Sequence, residues 1–447
     1  MSHYISITDQ DRAAMLNAIG VPSIDALFEV VPAEVRFPPI DLPAPMSEAE
    51  LLRELRRLSA KNANAQTHSI FLGAGAYNHF VPAAVDALLR RAEFYTAYTP
   101  YQPEIAQGTL QAIFEYQTMI CALTGMDVAN ASHYDGATAL AEAAVLAINS
   151  TRNRRTILVP PTLHPQYRQV LRTYLQGLDV TIAGDEQPTA SLAEVAARID
   201  ATTAAIIVPT PDFLGQVHDL RPIAERVHAA GGLLIVAADP IALGLFQAPG
   251  AVGADIVVAE GQPLGIPLSF GGPYLGIFAC KEQYVRRMPG RLAGATTDLE
   301  GRIGYVLTLQ TREQHIRREK ATSNICTNQG LMMLAATIYL ALLGKHGLRQ
   351  VAELCYHRAH YAARELAALP GCELLTPEPF FKEFALRLPR PVAEVNHALL
   401  ERGIIGGYDL EADYPHLGHA MLIAVTEMNS KADIDALAKA LREIVVA

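Results

Sequence analysis

Between residues 156 and 238 the chain alternates short apolar runs with helix-like segments. The runs are TILVP (156–160), LDVTIA (178–183), AAIIVP (204–209) and LLIVAA (233–238). Helices are expected between them, near 165–176, 191–200 and 220–230. A further apolar run, 255–259, precedes a Gly/Pro-rich stretch. Strands this uniformly apolar, separated by helices, imply a mostly parallel sheet covered on both faces. Ligands of such sheets bind beyond the carboxyl ends of the strands. The loops 160–164, 209–212 and 239–240 therefore converge on one crevice.

The flanks read differently. Thr8-Asp9-Gln10-Asp11 opens a helix that stops at Gly20, and Ser23 caps a short second one. Residues 31–47 hold five prolines and can only be extended, while Ser47-Glu48-Ala49-Glu50 is a capping box for the helix LLRELRRL. Residues 1–62 thus form an N-terminal arm, wrapped on this chain or on a neighbour. Pro82 opens one helix, and Pro103 to Leu123 reads as another, ended by Gly125. ATALAEAAVLAI is a small-residue helix, and SFGGPYLGIFAC (269–280) is a glycine turn returning into a strand. From about 321 the pattern becomes a helix over 328–344, a second helix, strand FALRL, helix 392–402, strand MLIAVT and a terminal helix. The expected class is α/β: a large domain over 63–320 and a smaller α+β domain over 321–447.

Composition narrows the function classes. The 447 residues carry a net charge of −10, and such a chain repels phosphate backbones, which argues against nucleic-acid partners. Five scattered cysteines without CxxC argue against a disulfide framework or a zinc site, so no metal is expected. The run 329–343 is too short for a membrane span and reads as a buried helix. With no leader pattern at the start, the expectation is a cytoplasmic protein with no membrane partner.

The candidate chemistry centres on residues 237–273. The strand 233–238 ends in Asp239, and the next delivers Glu260-Gly261-Gln262-Pro263. In pyridoxal-phosphate (PLP) enzymes of the aspartate-aminotransferase fold, fold type I, the first carboxylate pairs with the pyridinium nitrogen. The second strand supplies the Schiff-base lysine. No lysine occurs from Asn62 to Cys280. Residues 132–138 lead into the small-residue helix, whose N-terminus could cradle an anion; the sequence by itself favours a plain capped helix with His133 in a local hydrogen bond. FLGAGAYNH (71–79) lacks both GxGxxG and a Walker lysine, and reads as a turn. Tyr95, Tyr98 and Tyr101, with Gln102, recur at a spacing of three among prolines. A core aromatic strip and a polar-tipped loop at a site both fit that spacing. The basic cluster Arg312, Arg317, Arg318 and Lys320 reads as a solvated face, followed by the polar loop Thr322-Ser323-Asn324. Cys326 reads as a buried thiol.

At FYTAYTPYQPEIAQG (94–108) and REKATSNICTNQGL (318–331) the sequence closely resembles the P-proteins of the glycine cleavage system. LNAIGVPSIDALFEVVP, GAGAYNHFVP and SFGGPYLG extend the resemblance over nearly the whole chain. It matches the N-terminal half of that family, or subunit 1 where the protein is split. The resemblance implies a PLP-transferase fold and an α₂β₂ enzyme in which the lysine-bearing subunit 2 holds PLP. That enzyme decarboxylates glycine and passes the aminomethyl group to the lipoyl group of H-protein. It further implies that Tyr95, Tyr98, Tyr101 and Gln102 approach the partner's cofactor or the glycine and lipoyl channel. Thr322, Ser323 and Asn324 would lie near its phosphate. Asp239 and His133 would be remnants of a PLP frame, a pseudo-site that holds no cofactor here. Two rival readings stand beside this one: a self-sufficient PLP aminotransferase or lyase using Lys281, and a non-catalytic scaffold or regulatory pseudoenzyme.

Overall fold

The computed structural model describes residues 5–151, 153–377 and 379–446. The chain divides into two compact units, residues 1–62 and 63–447.

The first unit holds the helices Asp9–Ile19 and Glu48–Ser59, each with the reciprocal capping box its sequence announces, Thr8 with Asp11 and Ser47 with Glu50. Gly20 closes the first helix at φ 83°, a conformation that favours glycine. The proline-rich middle is held locally: the Arg36 guanidinium donates to Val31 O at 2.8 Å, and the Phe28 and Phe37 rings meet edge-on at 5.3 Å. No residue of its two helices is buried, and Val30 is 91% exposed.

The second unit is built on a seven-stranded sheet. Its order is Val128–Ala129, Gly276–Cys280, Ile256–Glu260, Leu233–Ala238, Thr203–Thr210, Thr156–Leu158 and Thr181–Ala183. The last five run parallel; Gly276–Cys280 is antiparallel to both its neighbours. Alternate residues face opposite layers. Leu158, Ile206, Val208, Leu234, Val236 and Val257 pack with the helices Gln107–Thr124 and Arg221–Ala229 and the start of Gly330–Ala367. Ile157, Ile207, Ile235 and Val258 pack on the other side against Gly136–Ser150 and Pro165–Leu175. Each such fully buried aliphatic contributes about 1.5–3 kcal/mol, which is why the runs carry no polar alternation.

A four-stranded antiparallel sheet follows, in the order Glu373–Leu374, Glu383–Arg387, Ala420–Ala424, Tyr408–Asp409. The helices Val392–Leu400 and Lys431–Val446 and the end of Gly330–Ala367 pack on it.

Two elements depart from the sequence reading, and a third agrees with it. The helix expected from Pro103 begins at Gln107, because residues 103–106 form a turn that Gln107 ties by donating from Nε2 to Pro103 O at 2.7 Å. The span Gly330–Ala367 is the one that agrees: two helices meet at Gly344, where the backbone leaves helical geometry (φ 57°, ψ −173°). Among the described residues this span alone is long and apolar enough to cross a membrane by length and composition, yet Met333, Ala335, Ala336 and Tyr339 are buried in the core. The hairpin Leu292–Thr297 with Ile303–Thr308, absent from the sequence reading, lies against Gln107–Thr124.

Candidate functional site

Beyond the carboxyl ends of the parallel strands lies a cavity of about 90 Å³, lined by Asp212, Asp239, Glu260, Lys382 and Glu383, with Tyr77, His164, Tyr167 and apolar and proline residues between them. Asp239 follows its strand directly, and its Oδ1 accepts the amides of Ile241 and Ala242 at 2.8 and 3.2 Å. Its Oδ2 lies 2.6 Å from Lys382 Nζ, an ammonium delivered by the residue before the strand Glu383–Arg387. The same ammonium donates to His79 Nε2 at 3.1 Å and sits 3.5 Å from the centre of the Tyr77 ring. His79 Nδ1 donates to Glu427 Oε2 at 2.7 Å, and the Phe80 amide donates to Glu427 Oε1, also at 2.7 Å. Glu383 accepts the Tyr77 hydroxyl and the Ala74 amide, each at 2.7 Å.

Charge in this network is set by burial against pairing. Burial works against ionisation of Asp239, but the Lys382 ammonium outweighs it and leaves the carboxyl below its ordinary value. Burial and then Lys382 push His79 down, so the ring is neutral, accepting at Nε2 and donating at Nδ1. Burial likewise opposes ionisation of Glu427, yet the bonds from His79 and Phe80 hold it at about 2. Burial pushes Glu260 and Glu383 each up to about 7. His79, Cys355 and Glu427 offer ligand atoms within 4.8 Å of one another. Those atoms already bond one another, and burial pushes the Cys355 thiol well up, which keeps it a poor metal ligand.

These residues do not fit PLP. The carboxylate that would meet a pyridinium nitrogen is paired with Lys382. Gly136 N, at the N-terminus of the helix Gly136–Ser150 where a phosphate would be cradled, donates to Glu260 Oε2 at 3.0 Å. The cavity is also well short of the roughly 300–1,000 Å³ of ordinary ligand pockets. The helix start is packed hard on the strand end: a Cβ at Gly136 would lie 2.9 Å from Glu260 N and collide with the Tyr167 hydroxyl. Gly136→Ala should therefore cost about 1–3 kcal/mol by overpacking, read as a lower urea midpoint.

His133 does not join Asp239. It is buried, stacks on Phe278 at 5.1 Å and pairs its backbone with Gly276, and it does not line the cavity. Burial lowers its pKa to about 3, and Nε2 has no hydrogen-bond partner. Lys281 lies at the opposite end of the sheet, 3.3 Å from Asp255, because Cys280 pairs with the first residue of Ile256–Glu260 and Gly276 with the last. It cannot reach Asp239, which removes the basis of the self-sufficient reading.

The remaining candidates gather at a second place. Tyr95 and Tyr98 are 66% and 69% exposed, and Gln102 is exposed beside them. Tyr101 turns inward: its hydroxyl accepts from Arg291 at 2.5 Å, and its ring meets those of Tyr98 and His315 edge-on at 6.2 and 5.7 Å. Buried Arg291 also pairs with Glu313 at 3.2 Å and donates to Cys326 O. Thr322 and Asn324 are exposed, while Ser323 donates to Glu142 at 2.6 Å. Cys326 is exposed, a correction to the buried thiol expected from the apolar helix, which begins only at Gly330. Partial burial opposes its ionisation, but the Thr327 amide and the Arg291 guanidinium outweigh it and lower the pKa.

Sequence reasoning missed Lys382, Glu383, Tyr77, His79 and Glu427. The one available signal was the Lys-Glu pair inside PFFKEFAL, two charges breaking an otherwise apolar stretch.

A family model described as glycine cleavage system P-protein matches residues 2–441. A relative from Thermomicrobium roseum, called probable glycine dehydrogenase (decarboxylating) subunit 1, is 57% identical over 98% of both chains. One of the same name from Desulforamulus reducens is 53% identical over 99% of both. A crystal structure of glycine decarboxylase, the P-protein of the glycine cleavage system, in inhibitor-bound form superposes with a TM-score of 0.92. It is 47% identical, and the match covers 99% of this chain and 100% of that one. A Lactobacillus brevis glutamate decarboxylase shares the fold at 14% identity and a TM-score of 0.67, covering 94% and 98%. The architecture is that of fold type I, and the chain belongs to the glycine cleavage system P-protein family.

Proposed function

We propose that this chain is the lysine-free subunit of a two-subunit glycine decarboxylase, assembled as α₂β₂ with a lysine-bearing partner. One observation carries the reading: the cleft keeps the frame of a PLP site, but Asp239 is paired with Lys382 and the next strand ends in Glu260. The covalent chemistry must then reside in the partner, where PLP supplies the electron sink for decarboxylation. The relatives' name, subunit 1, agrees with a second polypeptide.

This chain's work is positioning and closure. Tyr95 and Tyr98 present exposed rings with donors at their tips, suited to lining a channel for glycine and the lipoyl arm of H-protein. Arg291 and Tyr101 brace that loop from beneath. Ser323, tied to Glu142, fixes the polar loop that would face the partner's phosphate.

The test is glycine-dependent CO₂ exchange by the lysine-bearing subunit, co-expressed with and without this chain. Exchange that needs this chain is the expected result; full exchange without it would make the chain a scaffold. In the assembled enzyme, Tyr95→Phe and Tyr98→Phe should each lower turnover about 2–10-fold, the value of one hydrogen bond, with assembly intact. Unchanged kinetics in both would remove these residues from the site.

A further inference from the structure

Lys382 is the one lysine or arginine among the described residues lining the cleft, where it faces Asp212, Asp239, Glu260 and Glu383. Its side chain is only 2% exposed. Its surroundings are wired for one kind of cation. Asp239 Oδ2 accepts at 2.6 Å and His79 Nε2 accepts at 3.1 Å, while the Tyr77 ring lies below at 3.5 Å. His79 can only accept at Nε2, because its Nδ1 proton is committed to Glu427. Asp239 is fixed in turn by the amides of Ile241 and Ala242. Two acceptors at different bearings and an aromatic face together suit a group with three N–H bonds. An aromatic N–H points one way only and would leave one acceptor buried and unpaired.

We infer that the cleft has become a binding site for a primary ammonium, and that Lys382 is its built-in occupant. The ammonium stands in for the cation a bound cofactor would bring to Asp239. The wiring also joins distant parts of the chain. Asp239 ends a strand of the seven-stranded sheet, Lys382 and Glu427 flank strands of the four-stranded sheet, and Tyr77 and His79 lie on the loop after Ser69–Ile70. Lys382 is thus a positioning residue: it ties the two sheets together across the cleft.

The test is chemical rescue of the full chain. Lys382→Ala deletes Cγ to Nζ, the outline of n-propylammonium. Its urea midpoint should fall below that of the unaltered chain, and added n-propylammonium should restore at least half of the loss, saturably. 1-Propanol should restore none, and the unaltered chain and Lys382→Met, in which the space is filled, should not respond to the amine. Equal rescue by 1-propanol, no rescue by the amine, or an equal response of the unaltered chain would overturn the assignment. A second measurement needs no variant: under reductive methylation of the native chain, Lys345 and Lys439, both exposed, should react while Lys382 stays unmodified in peptide maps. Methylation of Lys382 at the rate of those two would equally end the proposal.

Discussion

Asp239→Ala should lower the stability of the folded chain by about 3–5 kcal/mol, the usual cost of removing one partner of a buried ion pair. Nearly all of that loss comes from what is left behind. The Lys382 ammonium would remain enclosed with only a neutral imidazole and a phenol ring as partners, and two backbone amides would lose their acceptor. Asp239→Asn should cost less, since its carbonyl oxygen still accepts from Ile241 and Ala242. The double change Asp239→Leu with Lys382→Met should also cost less than Asp239→Ala alone, because neither charge then remains to be desolvated. Urea midpoints of the single and double variants measure the coupling. Additive losses would mean that the 2.6 Å pair contributes no specific interaction.

The fold was legible wherever local chemistry and burial agree. The strand Leu233–Ala238 and its terminal Asp239 stand where the apolar run and its break put them. Both capping boxes of the arm form as their spacing requires. The backbone also leaves helical geometry at Gly344, where the first of the two expected helices ends. The misses are of another kind. His133 sits next to the helix start that drew notice to it, but the pairing of His133 with Gly276 turns its ring onto Phe278 rather than toward the cleft.

Lys382 shows most plainly why the site was read only in part. The strand next to Leu233–Ala238 ends in Glu260, where the strand order would put a Schiff-base lysine. What fills the cleft arrives from the residue just before a strand of the other sheet, a contact that no local spacing encodes. A lysine directly after Pro379-Phe380-Phe381 was the visible trace, because a lysine so placed in an apolar run must have a buried partner. Its partner was already in hand as Asp239. The step from one to the other required the tertiary structure.

Glu383→Gln should remove a large part of the pH dependence of stability, with a sign fixed by the direction of its shift. Burial holds the folded carboxyl at about 7, against an ordinary 4.5. Between those values the folded state keeps a proton that the unfolded state has released. The stability this group contributes is therefore complete below about pH 4.5, declines as pH rises, and is gone above about 7. Glutamine cannot ionise, and its carbonyl can still accept the Ala74 amide while the Tyr77 hydroxyl rotates to meet the new amide donor. Relative to the unaltered chain the variant should gain progressively over that window, by about 3 kcal/mol once it is crossed. Glu260 titrates over the same range, and His79 and His133, both lowered, act in the opposite direction. All three are present in both proteins, so the difference between their urea midpoints from pH 4.5 to 8 isolates Glu383. A constant difference would mean that the carboxyl stays ionised in the fold, and that Lys382 neutralises two carboxylates rather than one.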